Sequence, residues 1–281
     1  MAQTWTVLKI LQWTADYFRG KGIESGRRDA ELLLGASLGL DRVGVYLHFD
    51  RPLEEAELAA FRALVVRRAR REPLQYILGE TEFWSLPFSV SPAVLIPRQD
   101  TEVLVEEALR VMGGRRVLDV GAGSGAVGIS LAHELLDAEV VALDICPETL
   151  AVATENARRN GVASRIRFLE GDLADLPEGP FDLIVSNPPY IPADELGDLM
   201  PEVRHFEPRR ALDGGDDGLC FYRALASQAA SRLAPGGWLL VEIGMGQASA
   251  VRRLFAEAGL TEVFCRDDYS GVPRVIGGRR D

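Results

Sequence analysis

The sequence predicts an α/β protein: a seven-stranded, mostly parallel sheet with helices on both faces, preceded by a small all-helical segment. Three observations carry this expectation. From residue 115 onward, short apolar runs alternate with helix-length segments, the pattern of a parallel sheet wound on both sides. The first of those runs, Arg116-Val117-Leu118-Asp119-Val120, leads straight into a glycine-rich turn and then a helix. Residues 1–72 instead place apolar side chains at helical spacing.

Taken in order, Trp5, Leu8, Ile10, Leu11 and Tyr17 mark a first helix. Ser25 is placed to cap a second, whose apolar side carries Ala30, Leu32, Leu33 and Leu34. A short piece over 43–47 follows, then a helix over 54–71 with acidic residues early and arginines late, as the helix dipole favours. The run Arg67-Arg68-Ala69-Arg70-Arg71 reads as a solvated helix end, ahead of a contact with acidic nucleic acid or protein. Residues 73–96 change character. Prolines 73, 87 and 92 punctuate aromatic and β-branched runs, which fits a linker with a small hairpin in which Phe83 and Trp84 pack. The third segment, 97–281, begins with Pro97-Arg98-Gln99-Asp100-Thr101-Glu102. It opens a helix to about Met112, with Asp100 or Thr101 as its cap.

Strands are expected near 116–120, 139–144, 166–170, 181–186, 237–243, 261–266 and 273–277, and helices near 125–136, 147–160, 217–233 and 247–258. Pro147 suits a first helical turn and Asn160-Gly161 a helix stop. The connection over 191–217 is long for a compact domain and reads as a substrate-side loop. His205 within it reads as a surface residue, and Glu242 as a strand end approaching the cleft.

Two stretches carry chemistry. In Asp119-Val120-Gly121-Ala122-Gly123-Ser124-Gly125, the glycines let backbone approach a ligand and leave a helix N-terminus open. Asp144, ending the second sheet strand, can accept the hydrogens of both ribose hydroxyls of a nucleoside. NAD and S-adenosylmethionine would both use this arrangement, although the Asp-x-Gly-x-Gly-x-Gly spacing leans toward the latter. The second stretch is Asn187-Pro188-Pro189-Tyr190, at the end of the fourth strand. Two prolines cannot continue a ladder, and they stiffen the turn. The turn offers carbonyl oxygens, a side-chain amide and an aromatic face, a set suited to gripping a planar amide or amidine nitrogen. Ligands of such sheets sit at the carboxyl ends of the strands where their order reverses, and Asp119, Asp144 and Asn187 all fall there.

Together these features resemble the S-adenosylmethionine-dependent amino-group methyltransferases. With Pro97–Glu102 as written above and the helical start, nearly the whole chain is similar to the release factor glutamine methyltransferase family. The resemblance implies a class I, Rossmann-like methyltransferase domain and S-adenosylmethionine as cofactor. It implies an N-terminal domain that helps hold a protein substrate, a bacterial peptide chain release factor methylated on the glutamine of its Gly-Gly-Gln motif. It assigns Asp119, Gly121, Ala122, Gly123, Ser124, Gly125, Asp144, Asp172, Leu173 and Asn187 to the cofactor. Asp172 would meet the adenine amino group and Leu173 the adenine face. Asn187, Pro188, Pro189 and Tyr190 would be catalytic, with Phe88 and Arg98 joining them against the substrate. Asn187 and the Pro188 carbonyl would each accept an amide N–H, and Tyr190 would stack on the amide plane.

The rival readings are an N6-adenine DNA or RNA methyltransferase using the same tetrapeptide on a flipped base, and a nicotinamide-dependent oxidoreductase, which leaves that tetrapeptide idle. A net charge of −11 argues against stable nucleic-acid binding, where phosphate neutralisation supplies most of the affinity. Cys146, Cys220 and Cys265 are odd in number and far apart, with neither metal-ligand nor disulfide spacing, as expected of a reducing cytoplasm. No apolar run approaches the roughly 20 residues of a membrane span, and the start lacks a signal-peptide pattern. No metal is expected.

Overall fold

The computed structural model describes residues 5–173 and 175–281; residues 1–4, at the head of the expected helical segment, lie outside them. The described chain forms two compact units. The first runs to Gly79 and takes in Pro201–Phe206. The second comprises Glu80–Met200 and Glu207–Asp281.

The first unit is helical: α1 (Val7–Gly20), α2 (Gly26–Leu38), α3 (Arg42–Leu47), α4 (Glu55–Ala69) and α5 (Leu74–Leu78). The α1 spacing brings Val7, Leu11 and Phe18 onto one buried side, against Leu33, Leu34 and Phe61. Each such side chain, fully buried, contributes about 1.5–3 kcal/mol. Thr6 caps α1 by accepting the Lys9 N–H, and Asp41 caps α3 by accepting that of Gly44. Ser25 precedes α2 with a near-helical backbone and makes no side-chain cap bond, contrary to expectation.

The arginine run is not a solvated helix end. Arg67 forms a forked pair with Glu72, and Arg68 is buried, its Nε donating to Asp29 at 2.7 Å. Arg68 and Arg71 both donate to Glu202, at 3.1 and 2.7 Å. The partners lie 39 and 134 residues from Arg68, out of reach of any local pattern.

The expected linker divides between the units: α5 belongs to the first, and the hairpin β1 (Glu80–Phe83) and β2 (Leu86–Ser89) to the second. After α6 (Glu102–Val111), strands and helices alternate: β3 (Arg116–Val120), α7 (Ala126–Glu134), β4 (Glu139–Asp144), α8 (Pro147–Arg159), β5 (Ile166–Glu170) and β6 (Phe181–Ser186). The short α9 (Pro201–Phe206) falls in the 191–217 connection. The rest is α10 (Cys220–Arg232), β7 (Leu233–Glu242), α11 (Ala248–Glu257), β8 (Thr261–Asp267) and β9 (Pro273–Arg279). The sheet order is β5-β4-β3-β6-β7-β9-β8, with only β9 antiparallel to its neighbours.

Alternate side chains of the central strands feed opposite faces, as a pleat requires. Val117, Leu183 and Val185 enter one core cluster; Leu118, Val120 and Ile184 enter the other. β7 begins four residues earlier than expected because Leu233 already pairs with Phe181. The 191–217 connection is tied at its ends: Ile191 donates to the Leu212 carbonyl and accepts from Gly214. No helix among the described residues is long and apolar enough to cross a membrane.

Candidate active site

Registers align the strand ends that build the site. Val120 pairs with Leu143 on one side and Ser186 on the other, so β3, β4 and β6 end together. The chain leaves β3 for β4 on one side and reaches β6 on the other. That reversal opens a crevice at the carboxyl ends. The Ser186 hydroxyl donates to the Val120 carbonyl at 2.7 Å and ties the two halves where the ladder stops. Above them lies a cavity of about 420 Å³, within the range of small-ligand sites.

Most expected cofactor residues line it: Asp119, Gly121, Ala122, Gly123, Ser124, Asp144, Asp172, Leu173 and Asn187. Asp144 accepts the Gly123 N–H on Oδ2 and the Cys146 N–H on Oδ1, both at 3.0 Å. Burial raises its pKa, opposed by those N–H bonds and by the charge of Arg210. Asp119 lies deeper. Its Oδ2 accepts the Gly128 N–H at 2.9 Å, and burial pushes its carboxyl up to about 7, with Asp144 adding repulsion. Gly128 permits that approach, since a Cβ there would stand 2.8 Å from Asp119 Oδ2.

Gly125 departs from the expectation. It does not line the cavity; its N–H closes the turn onto the Ala122 carbonyl, and its φ is +82°. An added Cβ would stand 2.7 Å from Ile129, so conformation and packing already require glycine here.

The acceptor residues also divide. Asn187, Pro188 and Pro189 line the cavity, and Asn187 Nδ2 donates to the Thr101 hydroxyl at 3.2 Å. Thr101 is therefore not the side-chain cap of α6. Tyr190 is not in the cavity wall. It packs on the second core cluster and beside Gly244, its carbonyl accepts from Gln247, and burial pushes its hydroxyl up to about 12. Arg98 reaches the cavity, but its guanidinium donates to Glu207 at 2.5 Å and to the Ile96 carbonyl at 3.0 Å. Phe88 does not reach it: the ring is fully buried, edge-on to Phe83, because the hairpin turns it into the core. His205 is exposed and outside the lining.

Sequence reasoning missed one wall. Thr149 donates to the Ala93 carbonyl at 2.9 Å, and Arg210 donates to both Ala93 and Thr149, holding 93–95 against the crevice. The prolines at 92 and 97 mark a stiff segment there, but nothing local names its partners. Among the described residues, no cluster of His, Cys, Asp and Glu could hold a metal ion.

The PrmC N-terminal domain family matches residues 9–79, and the methyltransferase small domain family matches residues 98–200. A release factor glutamine methyltransferase of Geobacter sulfurreducens is 53% identical over 99% of this chain and 98% of its own. The chain belongs to the release factor glutamine methyltransferase family. A second relative of that name, from Moorella thermoacetica, is 48% identical over 91% of this chain and 92% of its own. In fold, the chain is similar to a methyltransferase of Pyrococcus furiosus, with a TM-score of 0.55 and 20% identity over 76% of this chain and 98% of that one. Members of the family are methyltransferases that draw the methyl group from S-adenosylmethionine. The cradle described above fits such a cofactor. It combines an open glycine turn, a carboxylate at a strand end for ribose hydroxyls, and a stiff polar turn facing it.

Proposed function

We propose that the protein transfers a methyl group from S-adenosylmethionine to the side-chain amide nitrogen of the glutamine in the Gly-Gly-Gln motif of bacterial release factors, in the cytoplasm. One observation carries this reading. Asn187 faces the cavity with its Nδ2 committed to Thr101, which leaves Oδ1 as an acceptor beside the Pro188 carbonyl. Two acceptors on one rigid turn match the two N–H groups of a primary amide.

S-adenosylmethionine, when bound, supplies an electrophilic methyl on a sulfonium. The protein must orient a weak nucleophile, because an amide lone pair is delocalised into its carbonyl. Asn187 and Pro188 hold the two amide hydrogens, so the lone pair is directed along the transfer line. Both bonds strengthen as positive charge develops on nitrogen, which is stabilisation aimed at the transition state. As the N–C bond forms and the S–C bond breaks, the proton lost from nitrogen passes to water. Asp144 holds the ribose hydroxyls, Asp172 and Leu173 the adenine, and Pro189 keeps the turn stiff. The net charge of −11 supports a protein acceptor over stable binding of nucleic acid.

The test is methyl transfer from labelled S-adenosylmethionine to a purified release factor, beside the same factor with its acceptor Gln replaced by Ala and an adenine-rich oligonucleotide. Label confined to the unaltered factor is expected. Label on the oligonucleotide would move the same tetrapeptide to a base-modifying reaction.

A further inference from the structure

Behind Asn187 stands a carboxylate that the methyl-transfer chemistry above does not use. β6 and β7 are adjacent parallel strands, paired at Ser186 and Val241, and the next residues of each are Asn187 and Glu242. Glu242 is 1% exposed, and its Oε2 has no hydrogen-bond partner among the described residues. Nearby Tyr222 donates to the Glu242 backbone carbonyl. Its carboxyl is engaged by Thr101, which is 4% exposed and also accepts from Asn187 Nδ2. Burying a carboxyl with one bare oxygen is costly, and such groups in a folded protein call for an explanation.

We propose that Glu242 and Thr101 are positioning residues that fix which end of the Asn187 amide faces the acceptor. The proposal rests on the reading of Asn187 as the acceptor grip. A hydroxyl has one hydrogen to give and two lone pairs. An ionised carboxylate can only accept, so it claims the Thr101 hydrogen. Toward Asn187 the Thr101 oxygen then has only lone pairs to offer, and only the NH₂ end of that amide satisfies one. Oδ1 is thereby turned into the cavity. If the hydroxyl hydrogen were free, Thr101 could donate to Oδ1 instead, and a flipped Asn187 would present NH₂ to an incoming NH₂. Burial raises the Glu242 carboxyl to about 7, while Thr101 and the charges of Arg274 and Arg98 favour its ionised form and Asp100 opposes it.

The test compares Thr101→Val, Thr101→Ser, Glu242→Gln and the double variant Thr101→Val/Glu242→Gln. Turnover, cofactor Kd and Tm are measured, with the side-chain ¹⁵N signals of Asn187 read by NMR. Thr101→Val and Glu242→Gln should each lower kcat by about 10- to 100-fold, the scale of lost orientation, with cofactor Kd near the parent value. Thr101→Ser should restore turnover. The double variant should be no slower than Thr101→Val, since the two act through one bond. The Asn187 amide signals should shift in Thr101→Val and Glu242→Gln and not in Thr101→Ser. If Thr101→Val does not fold, the Ser and Gln variants carry the test. Unmoved amide signals alongside an inactive Asn187→Ala would overturn the relay and leave the grip standing. Shifted signals with unchanged kcat would overturn both.

Discussion

The Asp144 carboxylate accepts the Gly123 N–H at 3.0 Å across 21 residues of chain, so the glycine turn and the carboxyl end of β4 are held as one piece. Asp144→Ala removes this tie together with the acceptor proposed for the ribose hydroxyls. Cofactor affinity, read by calorimetry, should fall about 10- to 100-fold, from roughly 1.5–3 kcal/mol for hydrogen bonds to a charged group. An unchanged Kd would remove Asp144 from the ribose role.

Asn187→Ala should act elsewhere. Its Nδ2 is spent on Thr101 and its Oδ1 is proposed to hold the acceptor, so kcat should fall about 10²- to 10³-fold, as for loss of one preorganised transition-state contact, with a much smaller change in cofactor Kd. Tyr190→Phe should keep most activity, because the ring packs beside Gly244 and its hydroxyl is not in the cavity wall. Steady-state kinetics on both variants separates the two roles.

The buried Arg68 network predicts a large stability effect in the helical unit. Arg68→Ala strands Asp29 and leaves Glu202 to Arg71 alone, and breaking a buried pair from one side costs about 3–5 kcal/mol. Arg19→Ala, which breaks the exposed pair with Asp16, should cost no more than about 1 kcal/mol. Urea unfolding of the two variants gives the comparison.

Asp119 predicts a pH effect with a definite sign. Burial raises its folded-state pKa to about 7, above the unfolded value near 4, so between those limits the folded form holds a proton that the unfolded form has lost. Stability of the ligand-free protein should therefore fall from pH 4 to pH 7, by up to about 1.4 kcal/mol per pH unit from this group, and level off above. Glu242 titrates in the same window and adds to the slope. Asp119→Asn should flatten the curve by one carboxyl; an unchanged curve would show that Asp119 does not titrate there.

Much of this site was legible because its parts are local. The run from Asp119 to Ser124, Asp144 at its strand end and the proline turn after Asn187 each declare their geometry within a few residues, and all reach the cavity. What escaped depends on distant partners. Arg68 reads as solvated until Asp29 and Glu202 are brought to it, and Thr101 reads as a helix cap until Asn187 takes its lone pair. Phe88 and Gly125 lie outside the cavity wall for a different reason: the hairpin turns one into the core, and the other sits in the turn below, against Ile129. Adjacency in sequence does not say which way a side chain points.

The strand order also divides the molecule in time. A ribosome releases β3, β4 and β5 as one adjacent block before any residue of β6 exists, although a domain folds as a unit once its chain has emerged. The glycine turn and Asp144 are synthesised while Asn187 is still unmade, and Glu242 follows 55 residues after Asn187. The residues of the glycine turn and β4 are thus made before those of the proline turn, and the sheet that holds both is whole only once β7 to β9 have followed.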